Sequence, residues 1–262
     1  YHSGDGITTA LESKDITSST NCIVMLKDHE GFAGGQNGYL YRKTEATEWT
    51  RLTIGGGLGT PINGISIPPS DTVGWCCGGD WVGRINSVGV YDKEDLSSGR
   101  LFLNTISCPS SKQGWTCDTD NGFIYNNGIW TGQPGFVGNS IFFVSNTTQG
   151  WCVGDNGSVY HTENGIDWSE QSNPDTIFTR TLFDVYFLNE LEGWAVGNQG
   201  IILHAIDGGN IWTIEAHGLT NENLSAVYFI STNSGIVGYA VGNNSTILKY
   251  MTKTNVHEPT KS

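Results

Sequence analysis

A glycine followed by an aromatic recurs along the chain: Gly31-Phe32, Gly74-Trp75, Gly114-Trp115, Gly150-Trp151, Gly193-Trp194 and Gly238-Tyr239. The intervals are 43, 40, 36, 43 and 45 residues, about 41 on average, which is the period of a four-stranded propeller blade. In Gly150–His161 and Gly193–His204 two short apolar runs flank an Asp/Asn-x-Gly turn, and Gly31–Arg42 follows the same template. Such turns favour hairpins, because Asn, Asp and Gly accept positive φ at low cost. A further strand-like run precedes the aromatic at Cys22–Leu26, Ile141–Val144, Val185–Leu188 and Val227–Ile230, and Trp49, Trp130, Trp168 or Trp212 opens a fourth strand. No segment carries a helical period. The pattern predicts an all-β chain, a single β-propeller of four-stranded blades. Six blades are expected; seven is the alternative, with the irregular stretch 78–104 as the place for the extra one.

The repeats fall near 20–52, 62–101, 104–133, 141–171, 184–215 and 226–251, the last joined by 1–12. This gives a propeller over 1–255 and a tail over 256–262. Tyr1–Thr9 aligns with Tyr160–Trp168, and the last repeat lacks a tryptophan-led fourth strand. The N-terminal strand Ile7–Glu12 is therefore expected to close the ring, which hides a sheet edge. The chain starts at Tyr1 with neither an initiator methionine nor an apolar leader, and reads as a mature or trimmed product.

Composition narrows the partners. The formal net charge is −13 with only 15% charged residues, which excludes nucleic acid and anionic membranes, since both need a basic face. No stretch approaches the ~20 apolar residues of a membrane span. Six cysteines (Cys22, Cys76, Cys77, Cys108, Cys117, Cys152) lie in the first 152 residues without a CxxC pair. Bridges Cys108–Cys117 or Cys117–Cys152 are candidates; Cys76-Cys77 reads either as a vicinal pair or as two buried thiols. Asn146, Asn156, Asn223, Asn243 and Asn244 stand in Asn-x-Ser/Thr sequons, candidate glycosylation sites. Few charges, an even cysteine count and these sequons point to an extracellular or otherwise extracytoplasmic life.

The turns before the fourth strands carry a family resemblance. Ala205-Ile206-Asp207-Gly208-Gly209-Asn210-Ile211-Trp212, Thr162-Glu163-Asn164-Gly165-Ile166-Asp167-Trp168 and Ser3-Gly4-Asp5-Gly6-Ile7 resemble the Asp-box, the Ser/Thr-x-Asp-x-Gly-x-Thr-Trp turn of BNR-repeat propellers. Joined to the Gly-Trp-Ala-Val-Gly run, they are similar to the repeats of photosystem II assembly-factor-like propellers. The pattern is lost at Thr44–Trp49 and Asn126–Trp130. Asp5, Asn164 and Asp207 read as structural, because a short side-chain oxygen bonds amides within its own turn.

No constellation converges on chemistry. The resemblance to Asp-box sialidases would imply three arginines on a carboxylate, yet Arg42, Arg51, Arg84, Arg100 and Arg180 are scattered and none lies in Arg-Ile-Pro. The carboxylate pairs Glu190/Glu192 and Glu94/Asp95 lie on apparent turns and read as solvated surface. His161 and His204 share a repeat position with Arg42, Asn126 and Lys249, and positions on neighbouring blades diverge rather than meet at a metal. Asp118-Thr119-Asp120-Asn121-Gly122 starts like a calcium loop but has Ile129 where the bidentate glutamate belongs. Trp81 and Trp130, beside irregular or shortened turns, are the candidate exposed rings for stacking on a sugar.

The sequence thus favours a secreted, non-catalytic propeller without cofactor or metal. It would serve as a binding or structural module for a protein or glycan partner, or self-associate by strand exchange. The alternative is an assembly or maturation factor similar to the photosystem II propellers; a glycoside hydrolase or sialidase-like enzyme comes third.

Overall fold

The computed structural model describes residues 19–27, 30–52, 59–68, 71, 73–96, 101–126, 128–174, 180–215, 218–233 and 235–252. The chain is an all-β, six-bladed β-propeller, and its described helical residues are confined to four three-residue 3-10 turns. Two compact units meet in sequence at Gly132/Gln133. The first unit holds three four-stranded antiparallel blades: β1 (Thr20–Lys27) to β4 (Thr47–Leu52) through β2 (Glu30–Gly35) and β3 (Leu40–Thr44); β5 (Gly64–Ser66), β6 (Gly74–Gly78), β7 (Trp81–Ile85) and β8 (Val90–Asp95); and β9 (Thr105–Ser110), β10 (Gln113–Cys117), β11 (Gly122–Asn126) and β12 (Ile129–Gly132). The second unit holds β13 (Ser140–Phe143), β14 (Gly150–Val153), β15 (Val159–Thr162) and β16 (Ser169–Glu170); β17 (Leu182–Phe187), β18 (Gly193–Gly197), β19 (Ile202–Ala205) and β20 (Trp212–Ile214); and a sixth blade with three strands among the described residues, β21 (Leu224–Thr232), β22 (Gly235–Gly242) and β23 (Ile247–Met251).

The stretch 78–104 hides no additional sheet among its described residues; it supplies β7 and β8, joined by an Asn86–Gly89 turn in which Asn86 Oδ1 accepts the Val88 and Gly89 amides. The expected closing strand Ile7–Glu12, the Asp5 turn and the 256–262 tail lie outside the described residues.

The glycine of each repeat has a packing cause. Phe187 lies opposite Gly193 across β17 and β18, and a Cβ on that glycine would sit 2.4 Å from the ring. Gly150 under Phe143 and Gly238 under Phe229 repeat the arrangement. The aromatic after the glycine then faces the next blade: Trp151 stacks on Phe187 at 3.5 Å and Trp194 on Phe229 at 3.6 Å.

Within each unit, successive blades are also tied near the start of their first strands. The amides of Ile62, Leu103 and Leu182 donate to the Gly35, Gly79 and Gly154 carbonyls of the preceding blade at 2.8–3.0 Å. Asn63 Nδ2 reaches the Leu103 carbonyl (2.9 Å), and Asn139 Nδ2 the Leu182 carbonyl (3.0 Å). Asp184 spans three blades, its Oδ1 accepting from Ser140 Oγ (2.7 Å) and its Oδ2 from the Val227 amide (2.9 Å).

Four hairpins turn through a 3-10 element whose middle residue is left-handed: Asn37 (φ 61°), Asn156 (55°), Gln199 (54°) and Asn244 (52°). Asparagine tolerates this region and glutamine does so less well. Gln199→Asn is therefore expected to stabilise the chain by about 0.5–1 kcal/mol, read as an upward shift of the urea midpoint. An unchanged midpoint would mean that the turn stores no strain.

Candidate functional site

The joints between blades four and five and between five and six have the same construction up to a point. The first packs Trp151, Val153, Val159, Leu182, Val185, Phe187, Ala195 and Leu203 around Trp212 of β20. The second places Trp194, Val196, Ile202, Leu224, Val227, Phe229, Ala240 and Leu248 at the corresponding positions. Its sheet, however, has no fourth strand among the described residues, hence no counterpart of Trp212. A cavity of about 170 Å³ opens there, lined by Trp194, Phe229, Leu248 and Tyr250, with Glu215 and Leu219 on the fifth-blade side.

Polar groups gather beside this cleft. His204, opposite Trp194 across β18 and β19, stacks on its indole at 4.5 Å with 6° between planes. Its Nδ1 lies 2.8 Å from Glu215 Oε2 and its Nε2 3.3 Å from Glu192 Oε1. Tyr250 packs edgewise on Phe229 (5.5 Å), and burial, then the charges of Glu215 and Glu192, push its hydroxyl pKa upward. Two carboxylates thus face one imidazole beside the cleft, whose own lining carries Glu215 and Lys249. The Trp194 indole is fully buried, and among the described residues its Nε1 finds no acceptor, as is also the case for Trp130, Trp168 and Trp212. Its counterpart Trp151 Nε1 donates to the Gly208 carbonyl at 3.0 Å.

Among the described residues, no group of three His, Cys, Asp or Glu side chains has the arrangement to hold a metal ion. Asp118 is 4% exposed and spends its carboxylate within a tight hairpin, Oδ1 accepting the Asp120 and Asn121 amides and Oδ2 the Phe102 amide. Ile124 stands opposite Trp115, while Asn126, expected at that repeat position, pairs with Gln113. The repeat position shared by Arg42, His161, His204 and Lys249 lies opposite the aromatic of each blade, and in the second blade it is held by Arg84, opposite Trp75 and 4.6 Å from its ring. The β6–β7 hairpin, one residue shorter than those carrying the other four, concealed that equivalence in the sequence.

The remaining candidates fall as follows. Asn164 Oδ1 accepts the Ile166 and Asp167 amides at 2.8 Å, and Asp207 Oδ1 the Ile211 amide at 3.0 Å, each within its own turn. Asn146, Asn156, Asn243 and Asn244 are exposed, whereas Asn223 is half-buried, with Oδ1 accepting the Gln199 amide. Arg51 lies over Tyr39 in the first blade and Arg180 beside Gln199 in the fifth, while Arg100 is outside the described residues. Glu94 and Asp95 are exposed on β8, and Glu190 is exposed beside Glu192.

Trp81 and Trp130 are not the exposed rings. Trp81 is 0% exposed, its Nε1 donating to Thr60 Oγ1, and Trp130 is 7% exposed, edge-on to Trp75. Among the described residues the exposed aromatics are Phe102, before the third blade, and Tyr228 and Tyr239 of the sixth. The irregular turns that suggested exposure are folded over the second and third blades' own cores.

The six cysteines form no disulfide. Register is the reason for two of the expected pairs. Cys117 lies opposite Thr105, whereas Cys108 sits over Gly114. Cys76 and Cys77 are consecutive on β6 and point to opposite faces, into two different cores. Cys152 stands opposite Ile141 in its own blade. Burial pushes the Cys22 thiol up to about 12 and those of Cys76, Cys77 and Cys108 well above the usual range. Iodoacetamide at pH 8 is expected to leave these four unmodified in the folded chain and to label them in urea without reductant; labelling only after reduction would reveal a bridge.

Comparison with known proteins agrees with the geometry. The model of the family described as photosynthesis system II assembly factor YCF48 matches residues 137–216 and 167–251. No curated protein sequence matches the chain. Among solved structures, YCF48 from Cyanidioschyzon merolae is similar over 85% of this chain and 77% of that one, at 14% identity and a TM-score of 0.65. Virginiamycin B lyase from Staphylococcus aureus aligns over 96% and 86%, at 16% identity and a TM-score of 0.76. The RRP9 WD40 repeats align over 91% and 78%, at 12% identity and a TM-score of 0.70. Such identities speak for the fold alone, and the fold is shared by enzymes and binding modules. With its hairpins, turns and tryptophans recurring in this order, the chain is a six-bladed β-propeller whose residues 137–251 are similar to the photosystem II assembly-factor YCF48 family.

Proposed function

We propose that the protein is a non-catalytic, protein-binding propeller that acts as an assembly or maturation factor for a client polypeptide. The observation that carries this reading is the cleft between the fifth and sixth blades: an apolar opening lined by Trp194, Phe229 and Leu248, with Glu215 and Lys249 as its charged groups. Apolar clefts with a few convergent polar groups are the usual form of a recognition site. The YCF48 match over the same blades supports an assembly role.

A photo-crosslinker at Leu219, on the cleft wall, tests the proposal in an extract of the source cells. One polypeptide is expected to be captured by the cleft probe and not by the same probe at exposed Val88 of the second blade. Equal capture at both positions, or none at Leu219, would remove the basis for a client. The exposed sequons motivate placing this role outside the cytoplasm; a glycosidase-sensitive mass on the native protein is the expected result, and a bare mass would argue for an organellar or cytoplasmic setting.

A further inference from the structure

We propose, resting on the protein-binding reading above, that one end of the fifth blade is a docking surface for a basic segment of the client. Aliphatic side chains of that segment cover Leu191, Ile206 and Ile211, while its lysines or arginines meet Glu190 and Asp207.

The sequence sets the sign of the partner. Between Lys112 and Lys249 the chain has thirteen aspartates and glutamates against one cation, Arg180, so nearly all of the net charge of −13 resides there. Arg180 lies beside Gln199 in the β18–β19 turn, at the opposite end of the blade. A charge imbalance of this size within one stretch selects a partner of opposite sign.

The apolar part has a fixed geometry. Gly193, Ala205 and Trp212 share one rung of the sheet. One step beyond it, Ile206 and Ile211 stand across the β19–β20 turn from each other, 70% and 67% exposed. Leu191, 60% exposed, is in the β17–β18 turn at the same end, and its carbonyl accepts the Gly208 amide at 2.9 Å. Asp207 Oδ1 accepts the Ile211 amide (3.0 Å), and Asn210 Nδ2 donates to the Asp207 carbonyl (2.7 Å). The turn is thus held before any partner arrives, which lowers the ordering cost of binding.

Packing does not account for these three side chains. The fourth blade makes the same turns from polar residues. Gly150 pairs with Thr162 as Gly193 does with Ala205, which sets Thr148, Glu163 and Asp167 where the fifth blade has Leu191, Ile206 and Ile211. Glu163 and Asp167 are exposed there. A single exposed aliphatic is ordinary on a surface, whereas three at one end of one sheet form a patch of the kind that partners cover.

The rim then selects among partners. Glu190 and Asp207 adjoin Leu191 and Ile206 in the chain, and Glu192 and Glu215 flank His204 close by. A purely apolar partner would desolvate carboxylates without pairing them, and an acidic one would be repelled. A segment with cations among its aliphatic residues avoids both costs.

The test titrates fluorescein-labelled Lys-Leu-Leu-Lys-Lys-Leu-Leu-Lys into the full chain, beside peptides with serine for leucine or glutamate for lysine. The lysine–leucine peptide is expected to bind about tenfold more tightly than the lysine–serine peptide, and the glutamate–leucine peptide not measurably. Ile206→Thr/Ile211→Thr is expected to weaken the lysine–leucine peptide about tenfold, to leave the lysine–serine peptide unchanged and to keep the urea midpoint. Leu191→Thr, on the neighbouring turn, should weaken the first peptide about threefold, and it decides the matter if the double variant lowers the midpoint.

Equal binding of the lysine–serine peptide would overturn the proposal in favour of diffuse charge attraction. Binding indifferent to these variants, or shared by the glutamate–leucine peptide, would overturn it as well. Dimers in light scattering that the double variant abolishes would replace the client by a second copy. Capture at Leu219 that persists in the double variant while the peptides fail discards this surface alone, whereas its absence from the unaltered chain removes the client itself.

Discussion

Trp151→Ala is expected to lower the unfolding free energy by about 4 kcal/mol, the usual cost of truncating a fully buried tryptophan. The ring is 0% exposed and sandwiched between His161 (4.9 Å, 17°) and Phe187 (3.5 Å, 8°). Its loss opens a void between two blades whose backbones are fixed by bonds such as Leu182 N to Gly154 O, so the site collapses poorly. The Gly208 carbonyl also loses its donor. Trp194→Ala removes a ring stacked in the same way between His204 and Phe229. There the indole N–H has no bond to lose and the cavity already adjoins the ring, so about 3 kcal/mol is expected. Urea unfolding of the two variants beside the parent provides the comparison. A Trp151→Ala loss below about 1.5 kcal/mol would show that the stack is not what joins these blades.

The second large effect depends on pH. Burial raises the Asp184 carboxyl to about 6 from an ordinary 3.8, against the lowering influence of the Val227 amide, the Ser140 hydroxyl and the Val185 amide. The folded chain therefore holds this proton at pH values where the unfolded chain has released it. Stability from this group is full below pH 3.8 and is lost as pH rises through about 6. A shift of two units corresponds to about 3 kcal/mol, and partial solvent access at Asp184 reduces the expected effect to about 2 kcal/mol. Asp184→Asn keeps an acceptor for Val227 and a donor towards Ser140 while carrying no charge. The variant is expected to exceed the parent by about 2 kcal/mol at pH 8 and to match it near pH 3.5. A difference independent of pH would show that folding leaves the Asp184 carboxyl at its ordinary pKa. Asp184→Ala, which strands both partners, is expected to destabilise at every pH.

Much of this architecture was legible because it is written locally. The glycine, the aromatic and the Asn-x-Gly turn lie within a dozen residues of one another, and their recurrence identifies blades directly. What escaped depends on register or on neighbours some forty residues away. Arg84 takes its place opposite Trp75 because the β6–β7 hairpin is one residue shorter than those after β2, β14, β18 and β22, a shift with no marker in composition. The cysteines looked close by repeat position, yet strand alternation sends Cys76 and Cys77 to opposite faces. Trp81 and Trp130 sit beside irregular turns, but burial is decided by what the turn folds against. The cleft was half visible: the missing fourth strand of the last repeat could be read, whereas the unpartnered Trp194 N–H becomes visible only beside Trp151 and Gly208.

The stacked joints have a consequence for how the second unit changes over time. Each joint takes a tryptophan and histidine from one blade and a phenylalanine from the next, always at the same register. A duplicated blade would bring a complete donor side and a complete acceptor side, so it could be spliced in without inventing a contact. Point changes behave in the opposite way, because an altered phenylalanine is felt by the tryptophan of the blade before it and by no blade further off. Gain and loss of whole repeats should therefore come more easily to this lineage than drift at the positions that join them.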